Sequence, residues 1–120
     1  HGVNCMDGFG SGIARQIAKE YPNSKEVYHE NSPFSLGKVI GTPDGIIHCA
    51  TQQFYGKSGK KYCSYDAIED CMKYVNKIYK GKKIGLPKIG AGLGGGNWNI
   101  IAKIIEETLT DVEYTVYVLE

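Results

Sequence analysis

Apolar residues recur along the chain with two different spacings, and together these predict alternating helices and strands. Spacings of three and four residues predict helices over residues 12–20, 64–79 and 100–109, with a shorter one over 23–30. Runs rich in β-branched residues predict strands over residues 38–40, 46–51, 83–89 and 114–119. Because strands alternate with helices, we expect a three-layer α/β/α protein with a mixed, largely parallel central sheet.

Local signals fix several of the boundaries. The segment Thr42-Pro43-Asp44-Gly45 lies between two strands and predicts the turn of a hairpin. Ser64 and Asn97 are expected to cap the helices that follow them. Residues 53–62 show no periodicity and predict a loop. His48 and Cys49 are adjacent on a strand and must face opposite sides of the sheet, so we expect one in the core and one in solvent.

Composition and charge narrow the function classes. The 120 residues suffice for one domain over 1–120, and the net charge of +1 gives no strong signal for nucleic acid. The four cysteines form no C-x-x-C pair, so we expect reduced, buried thiols in a cytoplasmic protein. We expect neither a metal site nor a cofactor. No apolar run is long enough to span a membrane. Since the sequence starts at His1, we expect that residues upstream are missing.

Glycine is the unusual residue, with 16 of 120 positions against a usual ~7%. Nine of the sixteen lie in residues 1–12 and 90–96, and each cluster follows a predicted strand and precedes a predicted helix. In α/β sheets ligands bind beyond the carboxyl ends of strands, where glycine admits a close ligand and helix N–H groups face an anion. Two such loops predict a site for a diphosphate, whereas tight turns alone are the simpler alternative.

Two common nucleotide motifs fit less well. Gly56-Lys57-Ser58 resembles the end of a P-loop, but Thr51 stands where the first glycine belongs. Residues 90–95 match G-x-G-x-x-G, and Glu120 stands where a ribose-binding acid of an NAD-binding protein is expected. No further strands follow for a dinucleotide domain, so this alternative is weaker.

Two loops and the last strand resemble those of macrodomains, and in particular the branch associated with ADP-ribose 1''-phosphate processing and terminal ADP-ribose removal. Residues 4–14, NCMDGFGSGIA, resemble the first ligand loop of that branch. Residues 86–98, LPKIGAGLGGGNW, resemble its second loop, and residues 114–119, YTVYVL, its last strand. The resemblance covers nearly the whole chain in order, and it implies a macrodomain-like fold in which the two loops embrace the diphosphate of ADP-ribose. The family's first strand, with an acidic residue that holds adenine, has no counterpart here.

The resemblance also implies roles for individual residues. Asn4 would face the distal ribose and His1 would carry a proton during phosphate release, which makes these two the candidate catalytic residues. The ligand-binding residues implied for ADP-ribose are Gly10, Ser11, Gly12, Ile13, Thr51, Gln52, Ile89, Gly90, Gly92, Leu93, Gly94, Gly95 and Leu119. Thr51 would lie on the adenosine side and Leu119 beside the base.

Two departures from the family pattern bear on the reaction. Members that hydrolyse macromolecule-linked ADP-ribose resemble one another in a Lys after a strand and an Asp in the second loop, and Gln52 and Gly94 occupy those positions here. Without an amine or a carboxylate that route loses its chemistry. We therefore expect hydrolysis of ADP-ribose 1''-phosphate. The alternative is a non-catalytic module that reads ADP-ribose or ADP-ribosylated macromolecules; an ADP-ribosyl hydrolase is less favoured.

Overall fold

A computed structural model describes residues 1–6, 8, 13–53, 63–91 and 94–118. In these parts of the chain the strands are β1 (Gly2–Asn4), β2 (Val39–Gly41), β3 (Ile47–Gln52), β4 (Lys83–Leu86) and β5 (Glu113–Val116). The helices are α1 (Ile13–Glu20), α2 (Pro22–Asn31), α3 (Tyr65–Ile78) and α4 (Trp98–Thr108). The predicted elements are confirmed, including the short second helix; most of the predicted loop over 53–62 lies outside the described residues.

The strands pair in two hydrogen-bonded groups. One group has the order β1-β3-β2 and the other joins β4 to β5. The β1–β3 and β4–β5 pairs are parallel, and the β2–β3 pair is antiparallel. The strand set is therefore mixed and largely parallel, as predicted.

The β2–β3 hairpin closes on the predicted turn. Gly45 adopts a φ of +85°, and its N–H donates to the carbonyl of Thr42 at 3.0 Å. That left-handed conformation strongly favours glycine. The hairpin register pairs Val39 with Cys49, so the turn sets which β3 side chains face each layer of helices.

The two predicted helix caps are confirmed. The Ser64 side chain accepts a hydrogen bond from the N–H of Ala67, at the start of α3. The Asn97 side chain accepts one from Asn99 at the start of α4. Both caps satisfy a first-turn N–H that has no partner within its own helix.

Strand β3 is covered on both faces, which establishes the three-layer architecture. Cys49 belongs to a core formed with α3 and α4, whereas Ala50 belongs to a second core packed by α1 and α2. The expectation that His48 and Cys49 face opposite sides is confirmed, but the expectation that one meets solvent is wrong. Their relative exposures are 0% and 2%, because helices cover both faces.

The four cysteines are buried, as predicted. The neighbouring Cys49 side chain and, after it, burial raise the pKa of the Cys71 thiol. An apolar cavity of about 290 Å³ lies between the two strand groups, and its lining includes Ile47, Cys49, Ile84 and Leu86. Within the described residues no helix is long and apolar enough to cross a membrane.

Candidate functional site

The carboxyl ends of β1 and β3 meet the second glycine loop at one edge of the fold. Asn4 and Gln52 are register partners, and the N–H of Cys5 donates to the carbonyl of Gln52 at 3.0 Å. Gln52 also forms an isolated antiparallel bridge with Cys63, whose N–H donates to the Gly94 carbonyl at 2.9 Å. The structure thus brings together three of the predicted site residues, although they are up to 90 positions apart in the sequence.

The side chain of Asn4 organises the start of the first loop. Its Oδ1 accepts hydrogen bonds from the N–H groups of Met6 at 2.9 Å and Gly8 at 3.1 Å. Its Nδ2 donates to the carbonyl of Gly8 at 2.6 Å, and because a carbonyl only accepts, this bond fixes the amide orientation. Asn4 is 7% exposed. Its predicted catalytic role stays a prediction, and the structure adds a role in shaping the loop.

Several glycines of the second loop are required by the protein's own packing. Gly90 has a φ of +77°, and a Cβ atom on it would lie 2.9 Å from Cδ1 of Ile68. A Cβ atom on Gly96 would lie 2.6 Å from Sγ of Cys63 and 2.8 Å from the Gly90 carbonyl oxygen. These two positions therefore require glycine for the protein's own packing, whatever ligand the loop binds. Gly95, also predicted to bind ligand, is exposed and has a φ of +71°.

The two positions that depart from the family pattern are neighbours in space. A Cβ atom on Gly94 would lie 2.7 Å from the Gly90 carbonyl oxygen and 3.1 Å from Oε1 of Gln52. A side chain at 94 would need the loop backbone to move, because real Cβ atoms do not approach a backbone oxygen so closely. The amide of Gln52 thus borders the space in which a carboxylate would have stood.

His1 lies at the other end of β1 from Asn4. Its backbone nitrogen donates to the carbonyl of Ile47 at 2.7 Å, which continues the pairing with β3. Its Nε2 lies 2.9 Å from Nδ1 of His48. Three strand residues span about 10 Å, so a role at the reacting ribose requires His1 to act across that distance or to change rotamer. That role stays a prediction.

His48 fixes the tautomer of this histidine pair. Its Nε2 lies 2.9 Å from the carbonyl oxygen of Ser24, which only accepts, so Nε2 carries a proton. Burial lowers the pKa of His48 to about 4, despite the favourable Ser24 carbonyl. The ring is therefore neutral at neutral pH, its Nδ1 accepts, and Nε2 of His1 must be the donor. A proton taken up by His1 would accordingly reside on its Nδ1.

Other predicted ligand residues lie in the interior. Thr51 is 1% exposed and Ile89 is 3% exposed. A Cβ atom on Gly2 would lie 2.7 Å from Oγ1 of Thr51 and 3.1 Å from Cγ1 of Ile89, so Gly2 on β1, Thr51 on β3 and Ile89 are close neighbours. Ile13 is half-buried as the first residue of α1. Ligand contacts by these side chains stay predictions.

The remaining predicted ligand residues lie outside the described residues. They are Gly10, Ser11, Gly12, Gly92, Leu93 and Leu119. The elements that carry them are in place, since α1 begins immediately after the first loop at Ile13 and α4 after the second at Trp98. The N–H groups at a helix start favour anions, so both loops lead into ends with the electrostatics that a phosphate requires.

Two residues that sequence reasoning did not select lie near these loops. The Nζ atom of Lys88 lies 6.0 Å from the ring centroid of Trp98, which places a cation beside the second loop. Trp98 is half-buried and packs against the core. Tyr28 is fully buried, and its hydroxyl lies 2.8 Å from the carbonyl oxygen of Asn4. The position of Lys88 just before the glycine cluster was a usable signal, whereas nothing local marks Tyr28.

Several known proteins are similar to this chain in sequence over most of its length. The chain is 28% identical to the ADP-ribose 1''-phosphate phosphatase of Saccharomyces cerevisiae, over 99% of this chain and 88% of that protein. It is also 28% identical to an uncharacterized 17.5 kDa protein of Enterobacteria phage T4, over 97% of this chain and 82% of that protein. The DNA ADP-ribosyl glycohydrolase of Mycobacterium tuberculosis is 26% identical over 96% of this chain, which spans only 36% of that protein. No family model matches the sequence.

Solved structures share the fold. The macrodomain of Mycobacterium tuberculosis DarG superposes with a TM-score of 0.77 at 23% identity, covering 100% of this chain and 87% of that one. Thermosipho africanus DarTG, solved in complex with ADP-ribose, superposes with a TM-score of 0.81 at 18% identity, covering 99% of this chain and 37% of that one. The arrangement of the sheet and its helices is therefore that of a macrodomain.

The sequence and structure comparisons together confirm the resemblance stated above. The chain has a macrodomain fold, and its sequence is similar to those of ADP-ribose 1''-phosphate phosphatases. The loop at Asn4 belongs to residues 4–14 and the loop at Gly94 to residues 86–98, the two segments that resemble the macrodomain ligand loops.

Proposed function

We propose that this macrodomain binds ADP-ribose and its derivatives between the two glycine loops. The observation that carries the proposal is the meeting of Asn4, Gln52 and Gly94 at the carboxyl edge of β1 and β3. This edge is where α/β folds bind ligands. The phosphatase relative and the ADP-ribose complex of a structural neighbour support the same ligand class.

In this proposal the diphosphate lies between the starts of α1 and α4. Residues 10–13 would contact it from the first loop, and Gly90, Gly92, Leu93, Gly94 and Gly95 from the second. The adenosine would extend past Thr51 and Ile89 toward Leu119, and one domain over residues 1–120 would hold the whole ligand. The Nδ2 group of Asn4 carries two protons; one goes to the Gly8 carbonyl, and the other is assigned to the distal ribose.

The reaction we propose is hydrolysis of the phosphate of ADP-ribose 1''-phosphate. A water oxygen bonds to phosphorus, and the bond from phosphorus to the 1''-oxygen of the ribose breaks. The products are inorganic phosphate and ADP-ribose, and the proton lost by the water balances the proton gained by the 1''-oxygen. His1, with its Nδ1 as the basic atom, would carry that proton, and Asn4 would orient the ribose. Gln52 beside Gly94 offers neither an amine nor a carboxylate, which disfavours the glycosidic route of the DNA ADP-ribosyl glycohydrolases.

Phosphate release from ADP-ribose 1''-phosphate, measured alongside calorimetric binding of ADP-ribose, tests the proposal. We expect release by the wild type, and a fall in kcat of at least about tenfold in Asn4→Ala and His1→Gln. Lys19→Gln, on the last turn of α1, is the matched surface control and should release phosphate at the wild-type rate. Binding of ADP-ribose without release would refute the enzyme and leave a binding module.

That non-catalytic module is the second candidate, and one observation favours it. The side chains of Asn4 and His1 are both hydrogen-bonded to the protein itself, to Gly8 and His48 respectively. Such a module would recognise ADP-ribose alone or on an ADP-ribosylated macromolecule. Retention of ADP-ribosylated protein but not of the unmodified protein, with no phosphate release, would select this function. Absence of any binding of ADP-ribose would refute both candidates.

A further inference from the structure

Tyr28 is the largest fully buried side chain in the described part of the chain, with an exposure of 0%. Its ring packs against Phe34, with centroids 5.2 Å apart, and against His48 at 5.9 Å. A phenylalanine would fill this volume without a polar atom, and burying a hydroxyl without a partner is costly. The hydroxyl at this position therefore calls for a specific partner.

The hydroxyl of Tyr28 faces two acceptor oxygens of Asn4, which share its one proton. The hydroxyl lies 2.8 Å from the backbone carbonyl oxygen of Asn4 and 3.0 Å from its Oδ1. The same Oδ1 also receives the N–H groups of Met6 and Gly8. The side chain that shapes the first loop is thus held from beneath by a residue 24 positions away in the sequence.

Helix α2 gives this contact a rigid base. Ser24 and Tyr28 are one helical turn apart and both are 0% exposed. The carbonyl of Ser24 accepts from His48 on β3, and the hydroxyl of Tyr28 reaches Asn4 on β1. One face of α2 is therefore tied to two neighbouring strands, so the hydroxyl cannot shift without moving the helix.

From this geometry we propose that Tyr28 is a positioning residue for the candidate site. Its hydroxyl fixes the rotamer of Asn4, and through Asn4 it holds the backbone of Met6 and Gly8. This inference rests on the proposed function, in which Asn4 orients the distal ribose.

The test is Tyr28→Phe in the full chain, which keeps the ring and removes one oxygen. We expect kcat for phosphate release to fall by about tenfold, the value of one buried hydrogen bond, while KM changes less than threefold. The effect should be smaller in an Asn4→Ala background, because the Oδ1 atom that the hydroxyl positions is gone and only its contact with the carbonyl of residue 4 is left. Tyr79→Phe, which removes a hydroxyl from the opposite core, is the matched control and should keep the wild-type kcat.

A second measurement works without turnover. Hydrogen exchange of the Met6 and Gly8 amides should accelerate at least about tenfold in Tyr28→Phe, while the amides of α4 keep their protection. Unchanged exchange at both amides would overturn the proposal, and so would an equal loss of kcat in the wild-type and Asn4→Ala backgrounds. If the wild type neither binds nor hydrolyses, the proposed function fails, and accelerated exchange still shows that the hydroxyl positions Asn4.

Discussion

Acidification should destabilise the fold through His48. The ring is fully buried, and its pKa falls from 6.5 to about 4 in the folded chain because burial disfavours the charged form. Unfolding exposes the ring and restores its ordinary pKa. The unfolded state therefore binds a proton more readily, and stability that is complete above pH 6.5 declines as the pH falls toward 4.

The size of the effect follows from the shift. Each pKa unit corresponds to about 1.4 kcal/mol, so the whole shift amounts to about 3 kcal/mol, and most of it is lost by about pH 4.5. A domain of this size has a free energy of unfolding of roughly 5–15 kcal/mol. One buried imidazole thus governs a large share of the acid stability.

Urea unfolding at a series of pH values, followed by circular dichroism, measures this loss. His48→Gln keeps a donor for the Ser24 carbonyl but does not titrate, so its unfolding free energy should change by about 2–3 kcal/mol less than that of the wild type between about pH 7.5 and 4.5. His29→Gln, at an exposed position of α2, should follow the wild-type curve. If the unfolding free energies of the wild type and His48→Gln change in parallel with pH, His48 is not the source of the acid instability.

Two further substitutions separate packing from ligand binding in the second loop. Gly90→Ala should cost at least about 2 kcal/mol of unfolding free energy, from its positive φ and the close contact with Ile68. Gly45→Ala, with a similar φ but open space around it, should cost only about 1 kcal/mol in the same urea titration. Gly94→Asp should lower the calorimetric affinity for ADP-ribose at least about tenfold, because its Cβ meets a backbone oxygen and Gln52. A Gly94→Asp variant that binds normally would show that the loop adapts freely.

The elements of the fold were accessible to sequence reasoning because their signals are local. The caps at Ser64 and Asn97 and the turn before Gly45 each depend on residues within four positions of one another. Such local signals do not predict how deeply a strand residue is buried. The alternation on β3 showed that His48 and Cys49 diverge, but only the tertiary arrangement shows that helices bury both.

The candidate site was predictable in outline and not in its internal contacts. Two glycine clusters after strands indicated which edge binds ligand. Spacing could not distinguish a glycine that faces a ligand from one that faces Ile68, as Gly90 does. Nor could it show that Tyr28 holds Asn4, since that contact joins residues 24 positions apart through the tertiary packing of α2.

A crystal structure of this chain with ADP-ribose is the most direct test of whether the two glycine loops bind this ligand. We expect the diphosphate to lie between the loop after Asn4 and the loop around Gly94, with the distal ribose within hydrogen-bond distance of the Asn4 side chain. ADP-ribose bound away from both loops, with its distal ribose out of reach of Asn4, would contradict this expectation.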